Sequence, residues 1–139
     1  MSKSQIQSII ESSIEVKQAL LKDEQLMLQL EKTVDAITHA FKKGNAVYFA
    51  GNGGSASTAS HFATDIGTGS QMRSNPVRVT SLCDNSAVMT AISNDIGYSA
   101  VFEQQLRLLA QPGDLLIVIS ASGNSQNLIN AVLAAIDMG

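Results

Sequence analysis

The sequence predicts an α/β fold: a parallel sheet flanked by helices and preceded by an N-terminal helical pair. Three observations carry this. Two short, nearly continuous apolar runs, residues 46–50 and 115–119, suit strands covered on both faces. Each run ends in a turn of glycine, serine and asparagine that opens a helical pattern. The order of elements is two helices followed by β-α-β-α-α-β-α, and strands separated by helices make a parallel sheet with right-handed crossovers.

Residues 4–21 read as a helix with Ile6, Ile10, Ile14 and Leu21 on one face. Asp23 is placed to cap a second helix, in which Leu30, Val34, Ile37 and Phe41 recur at helical spacing until Gly44 closes it. His39 in this helix reads as a surface or packing residue. After the first strand, residues 54–66 form a helix whose Ala56, Ala59, Ala63 and Ile66 make a small-residue stripe suited to close packing on a sheet. Gly67-Thr68-Gly69-Ser70 reads as a loop, and residues 77–82 alternate as a second strand. Asn85-Ser86 opens a helix through Ile92, Asn94-Asp95-Ile96-Gly97 breaks it, and 98–109 is helical again. Pro112-Gly113-Asp114 is a turn, 115–119 is the clearest buried strand, and 125–138 is a last helix with Leu128, Val132 and Ala135 at helical spacing. The chain reads as one domain, with helices in 1–44 and βα units in 45–139. Three parallel strands leave open edges, so the fold is expected to continue beyond Gly139.

Composition excludes several classes of function. The chain has 139 residues and a net charge of −3, with no cluster of Lys and Arg, which argues against a nucleic-acid partner. Lys42-Lys43 falls at a helix C-terminus, where it complements the dipole. No long uncharged apolar run points to a membrane span or a secretory signal. Cys83 is the single cysteine, reads as structural and fits a cytoplasmic location.

The candidate chemistry lies at the two turns. Ser120, Ser122 and Ser125 follow a strand and precede a helix, so their hydroxyls and the local amides could bind phosphate oxygens without Lys or Arg. The other reading is a polar turn with Ser125 as a simple N-cap. No Walker lysine is present, so this is no nucleotide P-loop. The turn Gly51-Asn52-Gly53-Gly54-Ser55 matches the dinucleotide fingerprint only loosely, and Asp84 comes about ten residues too late for its acidic partner. A turn that lets a sugar approach the backbone fits better. His61 and Asp65 stand one helical turn apart and suit a metal, a His–carboxylate acid–base couple, or a solvated polar pair. Asn94-Asp95 points polar groups into a pocket or is a plain Asx turn.

These motifs together resemble the sugar isomerase (SIS) family over the whole chain: Gly51-Asn52-Gly53-Gly54-Ser55, His61-Phe62-Ala63, Asn94-Asp95-Ile96-Gly97-Tyr98, and Pro112-Gly113-Asp114 leading to Ser120-Ala121-Ser122-Gly123-Asn124-Ser125. The serine loop is shared by SIS domains. The other elements are more specific and resemble the branch that isomerises sedoheptulose 7-phosphate in bacterial heptose synthesis. The resemblance implies a cytoplasmic homotetramer with a five-stranded parallel sheet and sites between subunits. It implies that Asn52, Gly53, Gly54 and Ser55 contact substrate, that Ser120, Ala121, Ser122 and Ser125 hold its phosphate, and that Asn94 and Asp95 bind its hydroxyls. His61 would ligate zinc, and Asp65 would be zinc ligand, substrate contact and acid–base group. The family usually has Glu at that place. Asp withdraws the carboxylate by roughly 1.5 Å, and a displacement near that size can cost about 100-fold in rate. The family's C-terminal helix supplies a Gln and a His for zinc and proton transfer, and that segment is absent here. Two other readings stay open: a non-catalytic SIS tetramer that binds the bacterial replication initiator, and another phosphosugar isomerase or sensor.

Overall fold

The computed structural model describes residues 2–72 and 76–139. The chain divides into two compact units between Ala36 and Ile37, inside its second helix. The first unit holds α1 (Lys3–Lys22) and most of α2 (Glu24–Lys42). Ser2 and Gln5 form a capping box at the start of α1. The Asp23 carboxylate accepts the amides of Gln25 and Leu26 at 3.1 and 3.0 Å, so it caps α2 as its sequence position predicts. No residue of α1 is buried, and Ile6, Ile10, Ile14 and Leu21 are all exposed.

The second unit begins with the last turn of α2, which ends at Gly44 (φ +76°). Then follow β1 (Val47–Gly51), α3 (Gly54–Met72), β2 (Val79–Ser81) and α4 (Ser86–Asp95). A 3-10 turn at Tyr98–Ala100 leads into α5 (Val101–Leu109), β3 (Leu115–Ile119) and α6 (Gln126–Met138). The three strands form one parallel sheet in the order β2-β1-β3. β1 is central and buried throughout. Alternation along it feeds two layers. Val47 and Phe49 pack with Ala59 and Ala63 of α3 and Ala40 of α2, while Tyr48 and Ala50 pack with Phe102 and Leu106 of α5 and Leu128 and Ala131 of α6. Asp114 ties the strand starts together by accepting the Ala46 amide at 2.7 Å.

Four expectations are corrected. Residues 67–70 are not a loop; α3 continues through them. Thr68 and Ser70 hydroxyls bond back to the Thr64 and Gly67 carbonyls at 2.8 Å each. A Cβ on Gly67 would lie 3.2 Å from the Val79 side chain, so glycine serves close helix–sheet packing there. Asn94-Asp95 does not break α4, which runs through Asp95; the break falls at Ile96 and at Gly97 with φ +133°. β3 is half-buried rather than buried, because it is an edge strand of this sheet. In α6 the buried stripe is Leu128, Ala131 and Ala134, not Leu128, Val132 and Ala135, because the helix packs on α5 as well as on the sheet. No described helix is long and apolar enough to cross a membrane.

Tyr48 is buried and donates its hydroxyl to the Leu109 carbonyl at 3.0 Å. Burial first, and the charge of Asp114 second, raise its pKa above the ordinary 10.0. The folded value lies above the unfolded one, so the stability it contributes is whole below the ordinary value and is lost as pH rises through the folded value. Tyr48→Phe is expected to cost about 1 kcal/mol at neutral pH through the lost hydrogen bond and to make the alkaline fall in stability shallower. Denaturant unfolding across a pH series reads both effects.

Candidate functional site at the carboxyl edge of the sheet

Register places the two turns together. Gly51 pairs with Ile119, so β1 and β3 end at the same level and their turns leave side by side. From β1 the chain goes one way to β2, and later returns to β3 on the other side. The crevice between β1 and β3 is therefore a topological switch point, where parallel sheets bind ligands.

The glycine turn is built by exclusion. A Cβ on Gly51 would lie 2.5 Å from the Ser55 carbonyl oxygen, so the first turn of α3 folds directly over it. Gly53 adopts φ +57°, and the amides of Ser55 and Ala56 close back on the carbonyls of Asn52 and Gly53 at 3.0 Å each. Gly54 and Ser55 open α3, and the amides of its first turn from Ser55 to Ser57 are spent on the carbonyls of the turn itself.

The serine loop turns its acceptors inward. Ser120 Oγ accepts the Gly123 amide at 3.1 Å, and Ser122 Oγ accepts the Asn124 amide at 3.3 Å. Their hydroxyl protons stay available to donate. Ser125 occupies the N-cap of α6, yet its side chain makes no capping bond. The simple N-cap reading of Ser125 therefore does not account for its hydroxyl. Ala121 is exposed at the tip of the loop.

A side-chain bridge joins the two turns. Asn52 and Asn127 exchange amide hydrogen bonds, each 2.9 Å long. Tyr98 Oη donates to Asn52 Oδ1 at 2.8 Å. Asn127 is 3% exposed, in the first turn of α6. Sequence reasoning missed it, because a single Asn at a helix start looks like any polar surface residue. It missed a second cluster too. Ser60 donates to the Asp84 carboxylate and lies 3.3 Å from Ser81 Oγ, clamping α3 to the end of β2. Cys83 donates its thiol to the Gly51 carbonyl at 3.4 Å, in keeping with a structural role.

His61 and Asp65 meet on α3, with Nε2 3.0 Å from Oδ2, and both are mostly exposed. His61 is seven residues beyond Gly54, about 10 Å along the helix axis. The pair supplies two of the four donors a tetrahedral zinc site needs. Among the described residues no group of three or more His, Cys, Asp or Glu side chains comes together. These residues alone do not complete a metal site. Asn94 and Asp95 are exposed in the last turn of α4, where Asn94 Nδ2 donates to Asp95 Oδ1 at 2.8 Å. Tyr98, three residues after Asp95, bonds the glycine turn at Asn52. A cleft of about 500 Å³ opens beside β2 and is lined by Thr64, Ser81, Asp84 and Gln105, and by none of the predicted site residues.

Fold, switch-point crevice and hydroxyl loop define a parallel α/β domain with its candidate ligand edge at the carboxyl ends of β1 and β3. Residues 11–139 match the SIS domain, and the chain belongs to that family. Within it the chain is similar to proteins named phosphoheptose isomerase. It is 37% identical to that of Clostridium acetobutylicum over 134 residues, covering 96% of this chain and 68% of that one. For that of Aneurinibacillus thermoaerophilus the identity is 39% over 127 residues, covering 91% and 64%. The solved phosphoheptose isomerase of Francisella tularensis superposes with TM-score 0.91 at 31% identity, covering 99% of this chain and 72% of that one. That of Neisseria gonorrhoeae gives 0.89 at 32%, covering 98% and 70%. The chain thus spans about two thirds of the length of these relatives.

Replacing both loop hydroxyls, Ser120→Ala with Ser122→Ala, is expected to weaken phosphate-ester binding at least about tenfold per hydroxyl and to leave the far-UV spectrum unchanged. Calorimetric titration reads the affinity; equal affinity in the double variant removes phosphate from the loop.

Proposed function

We propose that this chain is the core of a phosphoheptose isomerase, interconverting sedoheptulose 7-phosphate and D-glycero-D-manno-heptose 7-phosphate. The observation that supports it best is the pairing of two ligand turns at one switch point, one with free hydroxyl donors, the other leading into the helix that bears His61 and Asp65. The relatives named above carry the same activity in their names.

The reaction moves one proton from C1 to C2 of the sugar through an enediol, while a hydroxyl proton passes from O1 to O2 and the carbonyl from C2 to C1. Ser120, Ser122 and Ser125 hold the phosphate, with the Ala121 backbone beside them, and this fixes the reacting carbons at the other end. Asn52, Gly53, Gly54 and Ser55 receive the sugar at the glycine turn, and Asn94 and Asp95 bind its hydroxyls. Asp65 takes the C1 proton and returns it at C2; His61, bonded to it at 3.0 Å, holds the carboxylate in orientation. Zinc is part of the proposal only with two donors added to His61 and Asp65 from another segment or another copy. Bound there it would polarise the sugar oxygens as a Lewis acid.

A homotetramer is part of the same reading. The exposed apolar face of α1, with Ile6, Ile10 and Ile14, supports it, because contiguous exposed apolar surface marks an association face. We place the enzyme in the cytoplasm, where its product would feed ADP-heptose for the lipopolysaccharide core. Neither nucleic acid nor membrane enters the proposal.

The complete protein carrying this chain is expected to interconvert the two heptose phosphates, followed by carbon NMR. Asp65→Asn is expected to lower turnover at least about 100-fold and to keep sugar-phosphate binding; undiminished turnover would take Asp65 out of the mechanism. Ile10→Asp with Ile14→Asp is expected to shift the protein from tetramer to smaller species by light scattering, and an unchanged mass would place the interface elsewhere.

A further inference from the structure

The bridge between the turns has a fixed polarity, and one backbone amide sets it. Leu128 N–H can only donate, and it is shared between the Ser125 carbonyl and Asn127 Oδ1, each 3.0 Å away, so the Asn127 atom facing it is the side-chain carbonyl oxygen. The other end of the Asn127 amide is then nitrogen, and it donates to Asn52 at 2.9 Å. The Asn52 atom receiving it is oxygen, so Asn52 Nδ2 faces Asn127 Oδ1, also at 2.9 Å. Tyr98 Oη, 2.8 Å from that same Asn52 oxygen, must be the donor. Both lone pairs of Asn52 Oδ1 are thereby used.

What remains for a ligand follows by subtraction. Asn52 keeps one unspent N–H and no acceptor. Tyr98, 55% exposed, has spent its only proton and keeps its oxygen lone pairs. Asn127 is 3% exposed and offers almost no surface to a ligand. We propose that Asn127 is a positioning residue that makes Asn52 a pure donor and Tyr98 a pure acceptor toward the bound molecule. The adjacent donor and acceptor fit two neighbouring hydroxyls of a polyol chain, one accepting from Asn52 and the next donating to Tyr98. The identity of that polyol, a heptose phosphate, rests on the isomerase reading; the wiring does not.

The substitution that separates wiring from space-filling is Asn127→Asp. It keeps shape and the acceptor for Leu128, and it suits a helix N-terminus electrostatically. It removes one of the two donors on Asn52 Oδ1 and sets a carboxylate oxygen against that oxygen, while Tyr98 remains. In the complete protein, Asn127→Asp is expected to weaken sedoheptulose 7-phosphate binding about tenfold by calorimetry. In an Asn52→Ala background the same change is expected to cost nothing further, because it acts through Asn52. Unchanged binding in Asn127→Asp, or equal losses in both backgrounds, overturns the proposal. A second measurement needs no ligand. In the free protein, one Nδ2 proton of Asn52 should be protected from solvent exchange by NMR and the other exposed; equal exchange of the two overturns the wiring. If no heptose phosphate binds, the functional reading falls, and the exchange measurement still decides the polarity.

Discussion

β1 has a parallel neighbour on each side and a packed layer on each face, and its five residues are wholly buried. A strand in that position can be neither shifted nor tilted without unpacking both layers. Its register with β3 brings Gly51 level with Ile119, and this sets two loops of unrelated sequence side by side. Everything at the carboxyl edge inherits its position from that pairing. Gly51 adds a second constraint, since a side chain there would collide with the first turn of α3. The helix that carries His61 and Asp65 therefore starts at a height fixed by the central strand.

Polar groups at the edge divide into those spent on structure and those left free. Ser120 and Ser122 accept loop amides and keep their protons. Asn52 gives its oxygen to Asn127 and Tyr98. Ser60 and Asp84 hold α3 against β2. The free remainder includes the hydroxyl protons of Ser120 and Ser122 and one side-chain N–H of Asn52. Such a surface favours an oxygen-rich, anionic ligand over a cationic one, without a single Lys or Arg.

The helices and turns were legible in the sequence because their signals are local. Asp23 caps α2 and Gly44 ends it within one turn of where the pattern points. Asn85 caps α4 by accepting the Val88 amide at 3.1 Å. The errors came where a residue answers to a distant neighbour. Gly67 looks like a loop residue until Val79 is seen beneath it. The stripe of α6 is turned toward α5, a partner that no window along the chain can reveal.

The sequence by itself determined the order of strands and helices, the two glycine- and serine-rich turns, and the residue types that could hold a phosphorylated sugar. Hydrophobic period and turn chemistry are properties of neighbouring residues, and they can be read in a string. Tertiary structure alone decided which polar atoms at the sheet edge are spent on one another and which are left free. Asn52 and Asn127 lie 75 residues apart, and only the β1–β3 register makes them partners. A hydrogen-bond donor has a direction, and that direction is fixed by whichever group stands opposite it in space.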